Sequence, residues 1–424
     1  MAVRQDQPER GDAAGTASRR AALRLLDAVL RKGLPLEAAL DTAARDLERA
    51  DDRGFAHAIA AEALRRLPDL DALIDSATKS RLPDDAKARF ALRIALVQAL
   101  ALGTPAHAAI STVLPLVEGG PRRLVHGVFG TLMRGGATLP SPPTLPPDVE
   151  QRWRSAWGAP AVEAAARLIA QPPPLDLVGD PPAGEEGVSL MPGHLRLARG
   201  TAVAGMTGFG EGKWWVQDIS AAIPARLLGA GEGRTALDLC AAPGGKTMQL
   251  AAAGFRTIAV DVSADRLGRL RENLSRTGLD AEIVAADVMQ WQPREPADAV
   301  LLDAPCTATG IYRRHPDVLH RVRPRAIAEL AEAQAAMLAR AAEWVKRDGG
   351  TLVYSVCSLE PEEGEAVAEA FLASRVDFET APIELAELPA GLAPGPRGWL
   401  RILPGAFEAE GGADSFFVAR FRRR

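Results

Sequence analysis

The sequence predicts a multidomain fold, in which an all-α N-terminal domain precedes an α/β domain with a mostly parallel sheet. Three observations support this prediction. The chain has 424 residues, enough for two or three domains of about 150 residues each. Apolar residues recur at helical spacing in the first third of the chain, and strand-like and helical segments alternate after residue 235.

The N-terminal third divides into a short tail and a helical region. Residues 1–18 combine Gly, Ala and charged residues without periodicity, and we predict a mobile tail there. Residues 19–138 are predicted to form the all-α domain, because Leu23, Leu26 and Val29 are spaced as on one helix face and Gly or Pro separates similar runs.

Prolines mark the next change in composition. Residues 139–147 contain five prolines and cannot support a helix. We predict a Pro-rich linker and a small α+β extension at 139–212, followed by the α/β domain at 213–424. The predicted strands of that domain are 235–239, 257–261, 282–286, 299–303 and 351–355.

Composition excludes several classes of protein. The net charge of −4 argues against a surface that is basic throughout, so a nucleic acid would have to bind at local patches. Three cysteines cannot form a disulfide framework and favour a reducing compartment. No apolar run approaches the roughly 20 residues of a membrane helix. We therefore expect a cytoplasmic protein that does not bind membranes, and no metal site is predicted.

The loop Cys240-Ala-Ala-Pro-Gly-Gly-Lys-Thr247 follows a buried strand and leads into a helix. Such a loop presents backbone N–H groups at a helix N-terminus, where open α/β sheets bind ligands. Two interpretations compete, because Gly245-Lys246-Thr247 also resembles the end of a phosphate-binding P-loop. The first glycine of that motif would fall at Cys240, however, and Pro243 removes a backbone donor.

Acidic residues end three of the predicted strands. Asp261 lies roughly 20 residues beyond the loop, where a carboxylate can accept hydrogen bonds from the ribose of an adenosine ligand. Asp287 and Asp303 follow the next two strands. A single acid at such a position can also be a helix cap. Three of them beside a glycine loop favour a Rossmann-like site for S-adenosylmethionine.

Two of the cysteines follow strands at the same edge of the predicted sheet. Cys306 follows the fourth strand and Cys357 the fifth, each beside a predicted helix N-terminus that favours thiolate. Cys240 is interpreted as a buried filler residue. One reaction that uses such a thiol together with S-adenosylmethionine is the methylation of cytosine at C5. A thiolate that adds to C6 of the base makes C5 nucleophilic, and a second group near C5 then helps to release the product. Asp303 is a candidate to hold the cytosine edge at N3 and N4.

In ordered motifs over its last half, the chain resembles the Sun/Fmu family of RNA cytosine-C5 methyltransferases. The motifs are Cys240-Ala-Ala-Pro-Gly-Gly-Lys-Thr247, Asp303-Ala-Pro-Cys306 and Ser355-Val-Cys-Ser358. The resemblance implies Cys357 as the nucleophile, Cys306 as the assisting cysteine and S-adenosylmethionine as the cofactor. The implied cofactor contacts are Cys240, Ala241, Ala242, Pro243, Gly244, Gly245, Lys246, Asp261, Asp287 and Asp303.

The N-terminal helical region resembles the NusB-like RNA-binding domain of the bacterial 16S ribosomal RNA methyltransferase B subgroup, partly through Asp52-Arg-Gly-Phe55. This resemblance implies ribosomal RNA as the partner, either free or in an assembling small subunit. Two departures from the family pattern are visible. Val178-Gly-Asp180 replaces an Arg-Val-Asn strand, and Val356 replaces the usual Thr of the nucleophile motif.

A local group of basic residues follows the fourth strand. We predict that Arg313, Arg314 and His315 contact RNA phosphates, although a solvated helix face is the alternative interpretation. Cytosine-C5 methylation of another RNA such as tRNA, a P-loop nucleotidase and a non-catalytic RNA-binding protein are the other functions considered. Cys240 and Pro243 disfavour the nucleotidase, and a binding protein would not need both Cys306 and Cys357.

Overall fold

The structure, a computed structural model, describes residues 15–182 and 186–424. It divides into a helical unit, residues 15–149 with 315–321, and an α/β unit, residues 150–314 with 322–424. Most of the predicted mobile tail, residues 1–14, lies outside the described residues. The prediction is wrong for 16–18, which open the first helix. Thr16 and Ser18 are buried there, and the Ser18 hydroxyl donates to Asp52 at 3.2 Å.

The helical unit confirms the all-α prediction. Its central helix is buried on all sides from Ala88 to Gln98. Arg89 and Arg93 lie in this core, where both donate to the carboxylate of Asp71. The helices are α1 (Thr16–Leu30), α2 (Leu36–Ala43), α3 (Ala50–Arg65), α4 (Leu67–Ser76), α5 (Lys87–Leu100), α6 (Ala106–Val113) and α7 (Gly119–Arg134), with a 3₁₀ turn at Leu114–Leu116.

The proline-rich segment after α7 belongs to the helical unit. Residues 139–146 contain no helix, as predicted, but the next helix begins at Pro147, within the range that was predicted to be non-helical. Their backbone nevertheless packs on α4 and its N-terminus: Thr144 N donates to the Asp69 carboxylate at 3.1 Å, and Arg66 donates to Pro140 O at 3.0 Å. The two units therefore divide after Val149, later than the predicted boundary at 138.

The α/β unit contains two sheets. A small antiparallel sheet has the order β2-β1-β3, and the main sheet has the order β10-β11-β8-β7-β4-β5-β6, with β9 paired to β11. The strands are β1 (Leu175–Gly179), β2 (His194–Leu197), β3 (Trp214–Val216), β4 (Thr235–Leu239), β5 (Arg256–Asp261), β6 (Glu282–Ala285), β7 (Ala299–Asp303), β8 (Thr351–Val356), β9 (Phe378–Thr380), β10 (Leu400–Ile402) and β11 (Phe416–Arg423).

Helices connect these strands. α8 (Pro147–Ile169) precedes β1 and is interrupted at Gly158, which has a φ of 80°. The others are α9 (Ile219–Arg226), α10 (Gly245–Ala252), α11 (Ala264–Thr277), α12 (Val318–Arg321), α13 (Pro324–Glu343) and α14 (Glu365–Ser374), with 3₁₀ turns at Val203–Gly205, Thr309–Ile311, Leu385–Glu387 and Glu408–Glu410. α12 lies in the helical unit.

The main sheet confirms the predicted parallel strands. β8, β7, β4, β5 and β6 run parallel, and β11 is antiparallel to β8. Each of the five predicted strands is present, with ends that differ by at most one residue. Because parallel strands end at the same edge of a sheet, the residues after β8, β7, β4, β5 and β6 form one row. In the described part of the chain, every helix is too short or too polar to cross a lipid bilayer.

Candidate active site

The loop between β4 and α10 has the backbone conformation that its sequence predicts. Cys240 and Gly244 have φ angles of 61° and 106°. A side chain at Gly244 would also bring a Cβ within 2.9 Å of Leu270 Cγ, so glycine is required there both for conformation and for space. α10 begins at Gly245 and directs its first N–H groups toward this loop.

The carboxylate of Asp261 supports this loop from the neighbouring strand. Its side chain is buried, and it accepts hydrogen bonds from Ala242 N at 3.1 Å and Ser263 N at 2.9 Å. Asp287, after β6, is only partly buried and accepts from Met289 N at 2.9 Å. Asp261 and Asp287, two of the predicted cofactor contacts, therefore lie along the same sheet edge, and Asp261 is the one that fixes the loop.

Asp303 ends β7 and carries an ion pair. Lys246 Nζ, from the first turn of α10, lies 2.7 Å from one carboxylate oxygen. The Ser355 hydroxyl donates to the other oxygen at 2.8 Å. The segment 240–247 between β4 and the first turn of α10, which we call the cofactor loop, is thus joined to β7 and β8 through one partly exposed carboxylate.

Cys306 and Cys357 are in contact. Their sulfur atoms are 3.5 Å apart, which places the two predicted thiols at one point on the sheet edge. The contact with Cys357, together with burial and nearby negative charge, raises the pKa of the Cys306 thiol well above its ordinary value. Gly310 N donates to Cys357 O at 2.9 Å, and a Cβ at Gly310 would collide with Ser415 O.

Burial is the main influence on the thiol of the third cysteine, Cys240. Burial, followed by the charges of Asp303, Asp261 and Asp238, raises the pKa of the Cys240 thiol to about 12. A thiol of this kind stays protonated at neutral pH and is a poor nucleophile. This agrees with its interpretation as a filler residue in the loop.

Asp238, on β4, is fully buried, and burial raises its pKa to about 7.

The sequence analysis did not identify a buried polar cluster behind the two cysteines. We call it the cysteine-loop cluster. Within it, the Glu363 carboxylate accepts hydrogen bonds from Thr307, Gln334 and Ser358. The side chains of the cluster are buried and linked by hydrogen bonds of hydroxyl, amide and carboxylate groups. A signal was present, since Glu363 follows Cys357 closely in an otherwise turn-like segment. The members are Thr307, Thr309, Gln334, Ser358 and Glu363.

A second acid of the same segment faces α8. Glu360 is buried and accepts hydrogen bonds from the Trp153 indole N–H at 3.2 Å and from Arg152 at 3.3 Å. The Trp157 indole N–H donates to Leu359 O at 2.8 Å. Leu359 and Glu360 therefore face α8, whereas the residues that directly follow the two cysteines belong to the cysteine-loop cluster.

The predicted phosphate contacts require correction. Arg313 is fully buried and donates to Gly411 O, so it is not available to a phosphate. Arg314 donates to the carboxylates of Asp218 at 2.7 Å and Asp414 at 3.0 Å. Arg313 therefore serves the interior of the α/β unit, which a run of basic letters does not reveal. Arg314 is partly exposed, and its contact with RNA stays a prediction. His315 is partly buried in the helical unit, and its contact with RNA stays a prediction.

Comparison with known proteins identifies the family. Residues 225–422 match the family model of the 16S rRNA methyltransferase RsmB/F, and residues 16–121 match that of the NusB family. Ribosomal RNA small subunit methyltransferase B of Xanthomonas campestris is 34% identical over 400 residues, covering 88% of this chain and 91% of the relative. The protein of the same name from Xylella fastidiosa strain Temecula1 is 36% identical over 434 residues, covering 96% and 98%.

The chain belongs to the RsmB/F family of 16S rRNA methyltransferases. It is an S-adenosylmethionine-dependent methyltransferase with a NusB-like helical region. Among solved structures, PH0851 is similar with a TM-score of 0.73 and 24% identity, covering 96% of this chain and 99% of that chain. NSun6 from Pyrococcus horikoshii has a TM-score of 0.56 and 18% identity, covering 66% and 98%. These two structures support the fold.

The residues at the sheet edge of this methyltransferase fit S-adenosylmethionine. The ligand carries a cationic sulfonium, an amino group and ribose hydroxyls, which are complemented by carboxylates and backbone groups. The left-handed Gly244 removes a side chain from the loop beside α10. Asp303, the loop, Asp261 and Asp287 follow one another along the edge in the strand order β7-β4-β5-β6.

Proposed function

We propose that this methyltransferase transfers the methyl group of S-adenosylmethionine to C5 of a cytosine in 16S ribosomal RNA, with Cys357 as the nucleophile. The observation that carries the proposal is the contact of Cys306 and Cys357 at 3.5 Å. The two cysteines follow β7 and β8, at the sheet edge where the cofactor loop follows β4. The names of the relatives, ribosomal RNA small subunit methyltransferase B, favour 16S rRNA as the substrate.

The chemistry requires a nucleophile because C5 of cytosine is not reactive enough by itself. The Cys357 thiolate adds to C6, which forms a sulfur–carbon bond and places electron density on C5. S-adenosylmethionine, when bound, supplies an electrophilic methyl group for this carbon. The Asp303 carboxylate accepts from the N4 amino group, and from N3 once N3 has taken up a proton from solvent, which makes C6 more electrophilic. Lys246 and Ser355 keep the carboxylate in place.

Cys306 acts in the second half of the reaction. The C5 proton must leave, after which the bond from Cys357 to C6 breaks and the C5–C6 double bond forms again. Contact with Cys357 is the largest cause of the raised pKa of Cys306. Bonding of the Cys357 sulfur to C6 removes that cause and so lowers the pKa of Cys306, while burial and the charge of Glu363 still raise it. As a thiolate, after its own proton has passed to solvent, Cys306 accepts the proton from C5.

We propose that the helical unit, together with His315, helps to hold ribosomal RNA, either free or in an assembling small subunit. A stacked cytosine hides C5 and C6, so the target must be single-stranded or turned out of its stack. The free cysteines suit an enzyme of the reducing cytoplasm.

Release of tritium from RNA labelled at C5 of cytosine tests this reaction directly. We expect release from 16S rRNA that depends on S-adenosylmethionine, with a 5-methylcytosine at a single site after bisulfite sequencing. Release from tRNA but not from 16S rRNA would contradict the proposed substrate. Absence of release from both RNAs, with S-adenosylmethionine still bound, would contradict the reaction.

Alanine variants separate the roles of the two cysteines. Cys357→Ala should abolish both methylation and any covalent RNA adduct, because no thiolate then reaches C6. Cys306→Ala should form the adduct with RNA and cofactor but fail to release it, which denaturing gels detect as a slow, nuclease-sensitive band. The reverse pattern, an adduct with Cys357→Ala and none with Cys306→Ala, would exchange the two roles.

A further inference from the structure

The carboxylate of Glu363 lies between the loops that carry the two cysteines. The side chain is fully buried, although a buried carboxylate is costly unless hydrogen bonds compensate it. Four donors reach it. Oε1 accepts from Thr307 N and from Gln334 Nε2, both at 2.9 Å. Oε2 accepts from the Ser358 hydroxyl at 2.5 Å and from the Thr307 hydroxyl.

Three of these four donors belong to the residues that directly follow the two cysteines. Thr307 directly follows Cys306, and Ser358 directly follows Cys357. One carboxylate therefore binds the residue after each thiol. Gln334 extends the connection, because its Nε2 also donates to Pro305 O, on the other side of Cys306, at 2.9 Å.

The rest of the cysteine-loop cluster is consistent with an acceptor at Glu363. Ser358 Oγ accepts from Glu360 N at 3.0 Å while it donates to Glu363. Thr309 Oγ1 accepts from Leu359 N at 3.0 Å. Every bond of Glu363 named above arrives from a donor, so an alanine here would leave several buried polar groups without their acceptor. The charge of Glu363 also contributes to the raised pKa of Cys306.

We propose that Glu363 is a positioning residue that holds the Cys306 thiol against Cys357 through the residue that follows each cysteine. The inference rests on the proposed function, in which the two thiols act on one cytosine. Glu363 touches neither the sulfur atoms nor the reacting carbons in this role. It acts by fixing the separation of the two loops.

Glu360 provides a matched control within the same segment. It is also a buried acid, but its carboxylate accepts from Trp153 and Arg152 on α8 rather than from the residues after the cysteines. A general loss of stability is expected from Glu360→Gln as well as from changes at Glu363. A loss of thiol positioning is expected only from changes at Glu363.

Phenylarsine oxide measures thiol positioning without RNA or cofactor. Its arsenic bonds to two sulfur atoms at once, and the two thiol protons leave with the oxide oxygen as water. A bridged adduct survives washing with a monothiol, whereas an adduct to one thiol does not, and intact-protein mass spectrometry distinguishes them. Wild-type protein should capture one arsenical, and Cys306→Ser should capture none.

We expect Glu363→Ala to capture the arsenical at least about tenfold more slowly than the wild type. The same variant should lower kcat for RNA methylation about a hundredfold and change KM less than about threefold, because misplaced reacting groups slow the chemical step. Glu363→Gln keeps one acceptor oxygen and should lose about tenfold in kcat, as for a weakened hydrogen-bond set. Glu360→Gln should keep the wild-type capture rate and kcat.

Capture and kcat in Glu363→Ala that match those of Glu360→Gln would overturn the proposal. If Glu363→Ala does not fold, as judged by its affinity for S-adenosylmethionine, Glu363→Gln decides: a kcat equal to that of Glu360→Gln overturns the proposal, and the tenfold loss supports it. Wild-type protein that captures the arsenical but does not methylate RNA would contradict the proposed function and leave the positioning intact.

Discussion

At the scale of single residues, the strand-end carboxylates differ in what they already bind. Asp303 is held by a cation and a hydroxyl, from Lys246 and Ser355. Asp261 is buried and holds two backbone N–H groups, one of which belongs to the cofactor loop. A carboxylate retains further acceptor positions when each oxygen accepts one bond. Asp261 can therefore fix the loop and still accept from a ribose.

We expect Asp261→Ala to weaken S-adenosylmethionine binding about ten- to a hundredfold, which corresponds to about 1.5–3 kcal/mol for charge-assisted hydrogen bonds. The loss has two sources, the ribose contact and the support of Ala242 N. Titration calorimetry measures the affinity. Asp265→Ala, at an exposed acid in the first turn of α11, is the control and should bind normally. Unchanged affinity in Asp261→Ala would remove this residue from the site.

At the scale of elements, α12 lies in a different unit from the domain that was predicted for its residues. The sequence analysis included residues 315–321 in the α/β domain, but the structure assigns them to the helical unit. Asp317 accepts from Leu36 N at 3.4 Å, and His320 Nε2 lies 2.7 Å from Leu64 O. Since a carbonyl oxygen only accepts, Nε2 carries the proton and donates. α12 thus closes part of the helical core.

His320 makes this packing sensitive to acid. Burial lowers the pKa of His320 from 6.5 to about 4, so between these values the unfolded chain binds a proton that the folded chain does not. The contribution of neutral His320 to the free energy of unfolding is complete above about pH 6.5 and is lost as the pH falls toward about 4. Its upper limit is about 3 kcal/mol, at 1.36 kcal/mol per pKa unit.

Urea unfolding of the wild type and of His320→Gln at pH 7.5 and pH 5 tests this linkage. Gln keeps an N–H donor for Leu64 O but does not titrate, so the variant should lose less stability than the wild type between the two pH values. His126→Gln, at an exposed histidine of α7, should behave as the wild type does. Equal pH dependence in wild type and His320→Gln would contradict the assignment.

At the scale of the whole molecule, the residues proposed for chemistry and for RNA lie in different units. The cofactor loop, the strand-end acids and both reactive cysteines belong to the α/β unit, whereas the NusB-like helices belong to the helical unit. The family matches also separate a helical part, 16–121, from a methyltransferase part, 225–422, although the second match includes residues 315–321. The two activities should therefore be separable by deletion.

We expect a chain that begins at Glu150 to bind S-adenosylmethionine within about threefold of the wild type and to lose at least about tenfold in affinity for 16S rRNA at the same salt concentration. Deletion also removes Leu36 and Leu64, which contact residues 315–321. Full-length Asp317→Ala, which loosens that segment alone, is the control. Equal RNA affinity in the full and shortened chains would show that the helices serve another purpose.

The sequence by itself determined the helical region, the five parallel strands of the main sheet and the residues at the ends of those strands. Periodicity located the helical region, and alternation located β4, β5, β6, β7 and β8 to within a residue at each end. These signals are local, because side-chain period and turn composition depend on near neighbours in the chain. Since parallel strands end at one edge, the same reasoning placed Cys306 and Cys357 near each other before any distance was known.

Only the tertiary structure decided which side chains touch. It placed the two sulfur atoms 3.5 Å apart and buried Arg313, which donates to Gly411 O. Glu363 is joined by hydrogen bonds to Thr307 and Ser358, which are 56 and 5 residues away in the chain. The structure also assigned residues 315–321 to the helical unit. Burial and long-range hydrogen bonds depend on packing between distant segments, so identical letters can denote a surface cation or a buried one.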